Sequence, residues 1–480
     1  MSGLFGVLDV ANRGLTITQQ GIRVAGHNIA NVNTPGYSRQ RQVLAAQAAL
    51  PRASGHLGTG VEQLTIDRVT DTFIEAQLLK QHGSLSSSEA QARVLSLVEE
   101  VLNEQNGEGV SAALSRLYDA FSDLASAAPP GAPAEREAVR AAARSLVEVV
   151  HGMDAQLRDL QASMNHEIQS AIPEINSISQ RIADLNGRII ELELQAPAND
   201  LRDQRDELLR DLASRVEVTS FEKPDGSIVV MMGGGASLVD GVHVRRLDTA
   251  PDPTHPFDPT FSRILWVDDG FSYHVTDEVG AGSLGGQLRA RDDLIPSAIR
   301  SLDVLAYNLA RGVNAVHTAG VGLDGTVGGF FASPAAVEDA ARDLALHGNI
   351  VARADAIAAG LTPAPGDNRN ALALAALRDA PATLVLPGDP PGPPSGPNRT
   401  ILEHAGAVVA DVGQQARTLG QASNHQARIL EDLQNRRDET SGVSLDEEMA
   451  GLVQLEAAYQ ANARVLSTVS RLLDDLLSML

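Results

Sequence analysis

Residues 4–32 read LFGVLDVANRGLTITQQGIRVAGHNIANV, and Leu4, Leu8, Ala11, Leu15, Thr18, Ile22, Ala25, Ile29 and Val32 recur there at alternating spacings of four and three. Residues 445–480 read LDEEMAGLVQLEAAYQANARVLSTVSRLLDDLLSML. In them Leu445, Leu452, Tyr459, Leu466, Leu473 and Leu480 fall every seven positions, and Leu455, Val469 and Leu476 sit three places further into the repeat. Such spacing keeps one apolar stripe of a helix toward a partner along its whole length, the coiled-coil pattern. At ~1.5 Å rise per residue each segment is a rod of roughly 40–55 Å. Neither rod can bury its stripe alone. Two arrangements satisfy them: the ends pair within one monomer, or they pair and then pack against further copies.

Both seams are bounded by capping and turn chemistry. Asn31 and, after Val32, Asn33, Thr34, Pro35, Gly36 and Tyr37 end the first helix. Pro35 presets φ near −65° and Gly36 supplies a positive φ, which predicts a type II turn. Ser444 and Glu447 have the S-x-x-E spacing of a capping box at the start of the last helix.

The 480 residues suffice for several domains with sizeable cores. A net charge of −23 argues against nucleic-acid binding, which needs a basic surface. With no cysteine, disulfides, thiolate metal sites and cysteine nucleophiles are excluded. No run of about 18 apolar residues is present to span a membrane, and Met1 to Gly6 lack the basic and apolar regions of a cleavable signal. Composition alone therefore reads as cytosolic.

Between the seams the period is helical, then two, then helical again. Gln42 to Val69 reads as irregular backbone with a short strand at Val61 to Ile66. Helices are predicted over Thr70 to Asn103, with Phe73, Leu95, Val98 and Leu102 in the core, and again from Val110 to Leu124. The stretch from Ala127 to Pro133 breaks the chain. The longest helical pattern runs from Ala134 to Gln195, with Pro173 expected to kink or divide it. Asn199 or Asp200 is placed to cap a helix through Leu212, whose alternating charges read as a solvated face. Hairpins are predicted about Pro224 to Ser227 and within Ile264 to Val275. Helix returns at Gly286, Pro387 to Pro397 is a loop, and Ile401 to Arg437 is helical. The fold expected is mainly α: a long coiled-coil-like helical body built from both chain ends, with an inserted small antiparallel β domain. Its divisions are 1–66 and 441–480 as the two halves of an inner helical domain, and 67–215, 285–330 and 401–440 as the helical rod. The β insertion is 216–284, and 331–400 is an irregular insertion with a Pro-rich loop.

No catalytic constellation emerges. Gly233 to Gly235 and Gly280 to Gly286 lack the Lys and Ser/Thr of a phosphate loop and the spacing of a dinucleotide fingerprint. The histidines form no H-E-x-x-H or i, i+4 pair, and no serine sits in a G-x-S-x-G elbow. No cofactor or metal is expected, and carboxylates are too plentiful to single out a pair.

The stretch from Asn28 to Tyr37, together with Ser441 to Glu448 and Ala457 to Val465, resembles the N- and C-terminal signatures of the flagellar rod, hook and hook-associated axial proteins. Asn199 to Leu208, Leu284 to Pro296, Val313 to His317, Gly329 to Phe331 and Gly366 to Leu374 resemble the hook-associated, hook–filament junction members in particular. The resemblance implies a structural subunit that is not an enzyme. It implies a ring of copies between hook and filament, built through the seam residues. Implied partners are the hook protein, the next hook-associated junction protein, the flagellar export apparatus and an export chaperone on the C-terminal helix. It also implies an extracellular location reached through type III export without a cleaved signal. A hook or distal rod subunit is the alternative within the family, and a wall-cutting enzyme in the β insertion is the alternative outside it.

Overall fold

The computed structural model describes residues 2–52, 55–102, 109–127, 132–194, 196–389 and 393–478. Leu480 and the middle of the Ala127 to Pro133 break lie outside the described residues. Helix α1 (Ser2–Ala30) is followed by strands β1 (Gln40–Ala46), β2 (Leu50–Arg52), β3 (Gly55–Leu57) and β4 (Val61–Arg68). Strands β1 and β4 pair antiparallel with a bulge at Val43/Leu44. The expectation of irregular backbone there misses β1, whose polar–apolar alternation is masked by glutamines and alanines.

The body is helical: α2 (Thr72–Leu102), α3 (Val110–Ser126), α4 (Pro133–Glu193) and α5 (Asn199–Arg215). Pro133 opens α4, where its missing N–H costs nothing. Pro173 does not divide α4, which runs for 61 residues through it; the ring sits on the exposed face, where water can take the carbonyl it leaves unpaired. This helix is the spine of two cores. Val139, Leu146, Val150 and Leu157 pack with α2 and α3, and Ile168, Ile175, Ile182 and Ile189 pack with α5 and the β sheets. Leu95, Val98 and Leu102 are buried as expected, whereas Phe73 is 68% exposed, one residue inside the start of α2.

Two further sequence expectations fail in α5. Neither Asn199 nor Asp200 caps it: Ala198 holds the cap position and Asn199 donates to the Ile66 carbonyl at 2.7 Å. Its charged run is not a solvated face. Arg205 is 1% exposed, bonded to Asn186 Oδ1 and the Gly226 carbonyl, and Asp203 is buried beside β4. Periodicity cannot distinguish a buried, paired charge from a solvated one.

The β region holds both predicted hairpins within two antiparallel sheets. One is β5 (Val218–Glu222), β6 (Ile228–Met232), β7 (Ala236–Asp240) and β8 (His243–Val244) in that order; the other is β9 (Arg246–Pro251), β10 (Ser262–Asp268) and β11 (Phe271–His274). Helix α6 (Gly282–Arg289), a π turn at Ala290–Leu294 and α7 (Ile295–His317) return the chain to the body. Helices α8 (Ala340–Asp343), α9 (Gly348–Ala352) and α10 (Arg369–Ala376) with the pair β12 (Ala382–Thr383) and β13 (Asn398–Arg399) follow. The 331–400 segment is therefore not simply irregular: Phe331, Ala341, Leu344, Ile357 and Leu374 enter the helical core. Helix α11 (Ile401–Ser441) continues past Arg437, and α12 (Leu445–Ser478) closes the chain. Thr400 and Glu403 make a full reciprocal capping box on α11.

Candidate assembly interface

Helices α1 and α12 pack antiparallel, with Gly14 against Asn462 and Gly21 against Leu455. A Cβ at Gly21 would stand 2.9 Å from Leu455 Cδ2, so any larger residue there requires the Leu455 side chain to move. Of the α1 stripe, Ala11, Thr18 and Ala25 are buried, while Leu4, Leu8, Leu15, Ile22 and Ile29 are half-buried. Along α12, Val469 is buried and Leu452, Leu455, Tyr459, Leu466 and Leu473 are half-buried. Leu445 and Leu476, expected in the seam, are 48% and 45% exposed. One turn after Leu445 it is Glu448 that turns inward, toward Arg39. The antiparallel register, Gly14 to Asn462 and Gly21 to Leu455, carries Leu476 beyond the start of α1 at Ser2. Phe5, Val10, Met449, Val453, Val465 and Leu472 are further exposed apolar side chains on this hairpin.

The turn after α1 forms as its residues dictate. Tyr37 donates its N–H to the Thr34 carbonyl at 3.2 Å, and Gly36 has φ +76°, the type II geometry set by Pro35–Gly36. Asn31 Nδ2 returns to the His27 carbonyl, and Thr34 Oγ1 donates to Asn31 Oδ1. Asn33 is exposed. The Tyr37 hydroxyl donates to Asn28 Oδ1 at 2.8 Å, and burial, reinforced by Asp200, raises its pKa so that the donor stays protonated. Asn28 also exchanges two bonds with the Gln40 backbone, at 2.9 and 3.0 Å. It is 1% exposed and ties α1, the turn and β1 together. Asn28→Ala strands the Gln40 N–H and should cost about 1–3 kcal/mol locally. Faster hydrogen exchange across 28–42, with exchange in the body unchanged, is the expected readout.

A charged joint fastens this hairpin to the body. Arg39 donates to Glu448 at 2.7 Å and Glu447 at 2.8 Å, and its N–H bonds the Ser441 carbonyl. The Glu447 carboxylate is thus committed to Arg39, and Ser444 Oγ accepts from the Glu447 N–H only at 3.5 Å; the predicted reciprocal capping box does not form. Arg437 reaches the Gly36 carbonyl and Glu75, each at 2.9 Å, and Glu75 also holds Arg210. Asp203 accepts from the Ser38 N–H and from Arg68, which also grips Asp206. Burial pushes the Asp203 carboxyl up, against the pull of Arg68. Beneath the turn a cleft of about 650 Å³ separates Pro35 and Tyr37 from Arg181 and Arg188 of α4. Of these groups sequence reading singled out only the turn, Ser444 and Glu447. Arg39 could have been found from its place directly after the turn, whereas Glu75, Asp203 and Arg437 look like ordinary helix charges.

Three family descriptions match the chain. Residues 95–332 match "Flagellar hook-associated protein FlgK helical domain", residues 434–479 the C-terminal region of flagellar basal body rod FlgEFG proteins, and residues 8–37 the flagella basal body rod proteins. Flagellar hook-associated protein 1 of Bacillus subtilis is 26% identical over all of this chain and 99% of its own length. That of Salmonella typhimurium is 27% identical over 98% of this chain and 99% of its own length. The chain belongs to the flagellar hook-associated protein 1 family. The flagellar hook junction protein FlgK from Burkholderia pseudomallei shares the fold, with a TM-score of 0.64 and 16% identity over 76% of this chain and all of that one. As a member of the hook-associated protein 1 family, the protein is a structural component of the bacterial flagellum. Its relatives are structural proteins, not enzymes. Among the described residues no three His, Cys, Asp or Glu are placed to hold a metal, and no helix is long and apolar enough to cross a membrane.

Proposed function

We propose that the protein joins the hook to the filament as a ring of copies, with α1 and α12 of each copy packed into the inner wall of the axial tube. The observation that carries this is the unfinished burial of the terminal hairpin. Its seam residues are half-buried by a single partner, and Phe5, Leu445, Met449, Val453, Leu472 and Leu476 face solvent. A fully buried side chain of this size contributes roughly 1.5–3 kcal/mol, so neighbouring copies covering these residues supply a strong drive to assemble. Residues 1–66 and 441–480 then form the inner layer, the helical rod the next, and the β insertion faces outward. On this reading the hook protein and the next hook-associated junction protein contact opposite ends of the ring. A chaperone covers α12 before export, and the chain leaves through the flagellar export apparatus without a cleaved signal.

The terminal matches to rod proteins keep a hook or distal rod subunit as the second reading; the helical-domain match at 95–332 favours the junction. Purified protein added to filament-less hook–basal bodies should form caps confined to hook tips, seen by electron microscopy. A chain lacking 441–480 should form none. Decoration along the hook or rod would transfer the role to the second reading.

A further inference from the structure

Asp303 on α7 and Asp154 on α4 are 4% and 3% exposed and belong to the packing between those helices. Asp303 Oδ1 accepts the Ala341 N–H at 2.8 Å and Oδ2 the Asp339 N–H at 3.3 Å, so this carboxyl holds the turn that opens α8. Asp339 has φ +61°, a left-handed conformation that a non-glycine residue keeps only when its surroundings impose it. Arg158 bridges the same parts, through Nε to Asp154 Oδ2 at 2.8 Å and Nη2 to Asp339 Oδ1 at 2.7 Å. Asp154 Oδ1 is buried and has no hydrogen-bond partner.

Arg158 thus bonds two of three neighbouring carboxylates, those of Asp154 and Asp339, and Asp303 and Asp154 are out of water. Leaving a second buried carboxylate ionised without a cation is costly, and a proton removes that cost. The orphaned Asp154 oxygen needs a donor, and a protonated Asp303 has one while its oxygens still accept the two backbone N–H groups. The other charged groups nearby are committed or exposed. His151, one turn before Asp154, bonds the Leu344 carbonyl; Arg300, one turn before Asp303, lies over Phe257; Arg342 and Asp343 face solvent.

We propose that Asp303, protonated near the buried Asp154 carboxylate, latches residues 337–344 onto α4 and α7, tight with the proton and loosened without it. Burial, with Asp154 adding to it, pushes Asp303 up to about 6. The folded chain therefore keeps a proton that an unfolded aspartate has already released. The resulting stability is full below the ordinary aspartate range and is lost as pH rises through about 6.

Hydrogen exchange of the full chain, divided by the intrinsic amide rate, tests this. Protection of residues 339–344 should fall about tenfold or more between roughly pH 5 and pH 7.5 while the α2–α3 core holds steady. Asp303→Asn, whose amide can donate to Asp154 at any pH but whose single oxygen keeps only the Ala341 N–H, should lower protection at Asp339 and remove its pH dependence across the segment. Asp154→Asn, which removes the neighbouring anion, should move the wild-type transition to lower pH. Wild-type protection that does not change over that range overturns the latch, and this holds even if the Asp303 variant fails to fold. A transition that Asp154→Asn leaves in place overturns the role of Asp154.

Discussion

Leu466→Asp should abolish incorporation into the flagellar axis while leaving the body's melting transition where it is. Leu466 sits mid-way along the α12 seam, half-buried against α1. The nearest basic side chain on α1, Arg13, is occupied by Asp9 and Gln47, so a carboxylate there has no cation to pair with. In an assembly that completes its burial, the substitution removes roughly 1.5–3 kcal/mol of apolar contact and adds the cost of an unpaired charge in the seam. Neither large core contains a residue of α1 or α12, which is why calorimetry of the body should not register the change. Ile22→Asp, on the facing helix, should act the same way. Co-sedimentation with filament-less hook–basal bodies reads the outcome. Normal caps from either variant would remove the seam from the assembly argument.

How much of this could be read from the chain depends on whether a residue's role is local or tertiary. The Thr34 to Tyr37 turn was legible because Pro35 and Gly36 each restrict their own backbone. Both β hairpins were legible from Asp-Gly turns between alternating strands. The seam was legible as a period, but its ends were not. Counting heptads includes Leu445 and Leu476, whereas the antiparallel register, set by the close approach at Gly21, excludes Leu476, and Arg39 turns Glu448 inward in place of Leu445. Asp203 and Arg205 show the same limit from the other side. Their spacing is that of a solvated helix face, and only groups distant in sequence, Arg68 of β4, Asn186 of α4 and the Gly226 turn, pair with them once the fold has formed. Glu447 satisfied the capping spacing, yet an arginine more than 400 positions away takes its carboxylate. A motif gives a side chain an option, and tertiary structure decides whether it is taken.

Arg437→Ala tests the joint, and it should separate the hairpin from the body without unfolding either. Arg437 touches the signature turn, α2 and its own helix end, through Gly36, Glu75 and Asp438. Removing it leaves the Gly36 carbonyl unsatisfied and Glu75 with Arg210 alone. Losing the bonds to this partly buried carboxylate and to the carbonyl costs on the order of 1–3 kcal/mol, because Glu75 keeps Arg210. The hairpin is tied to the body otherwise by the Ser38–Asp203 and Gln40–Asp200 bonds and by Asn199 on the Ile66 carbonyl, whereas the Arg39 side chain joins the turn to α12. Residues 31–40 and 441–444 should then become the first sites of limited proteolysis, yielding a resistant body fragment. Arg437→Lys should not rescue, because one ammonium cannot reproduce the planar fork that bonds a carbonyl and a carboxylate in different directions. A lysine variant cut as slowly as the parent would show that charge alone holds the joint. An alanine variant with unchanged cleavage would move the anchor to Asp203 and Asp200 of α5.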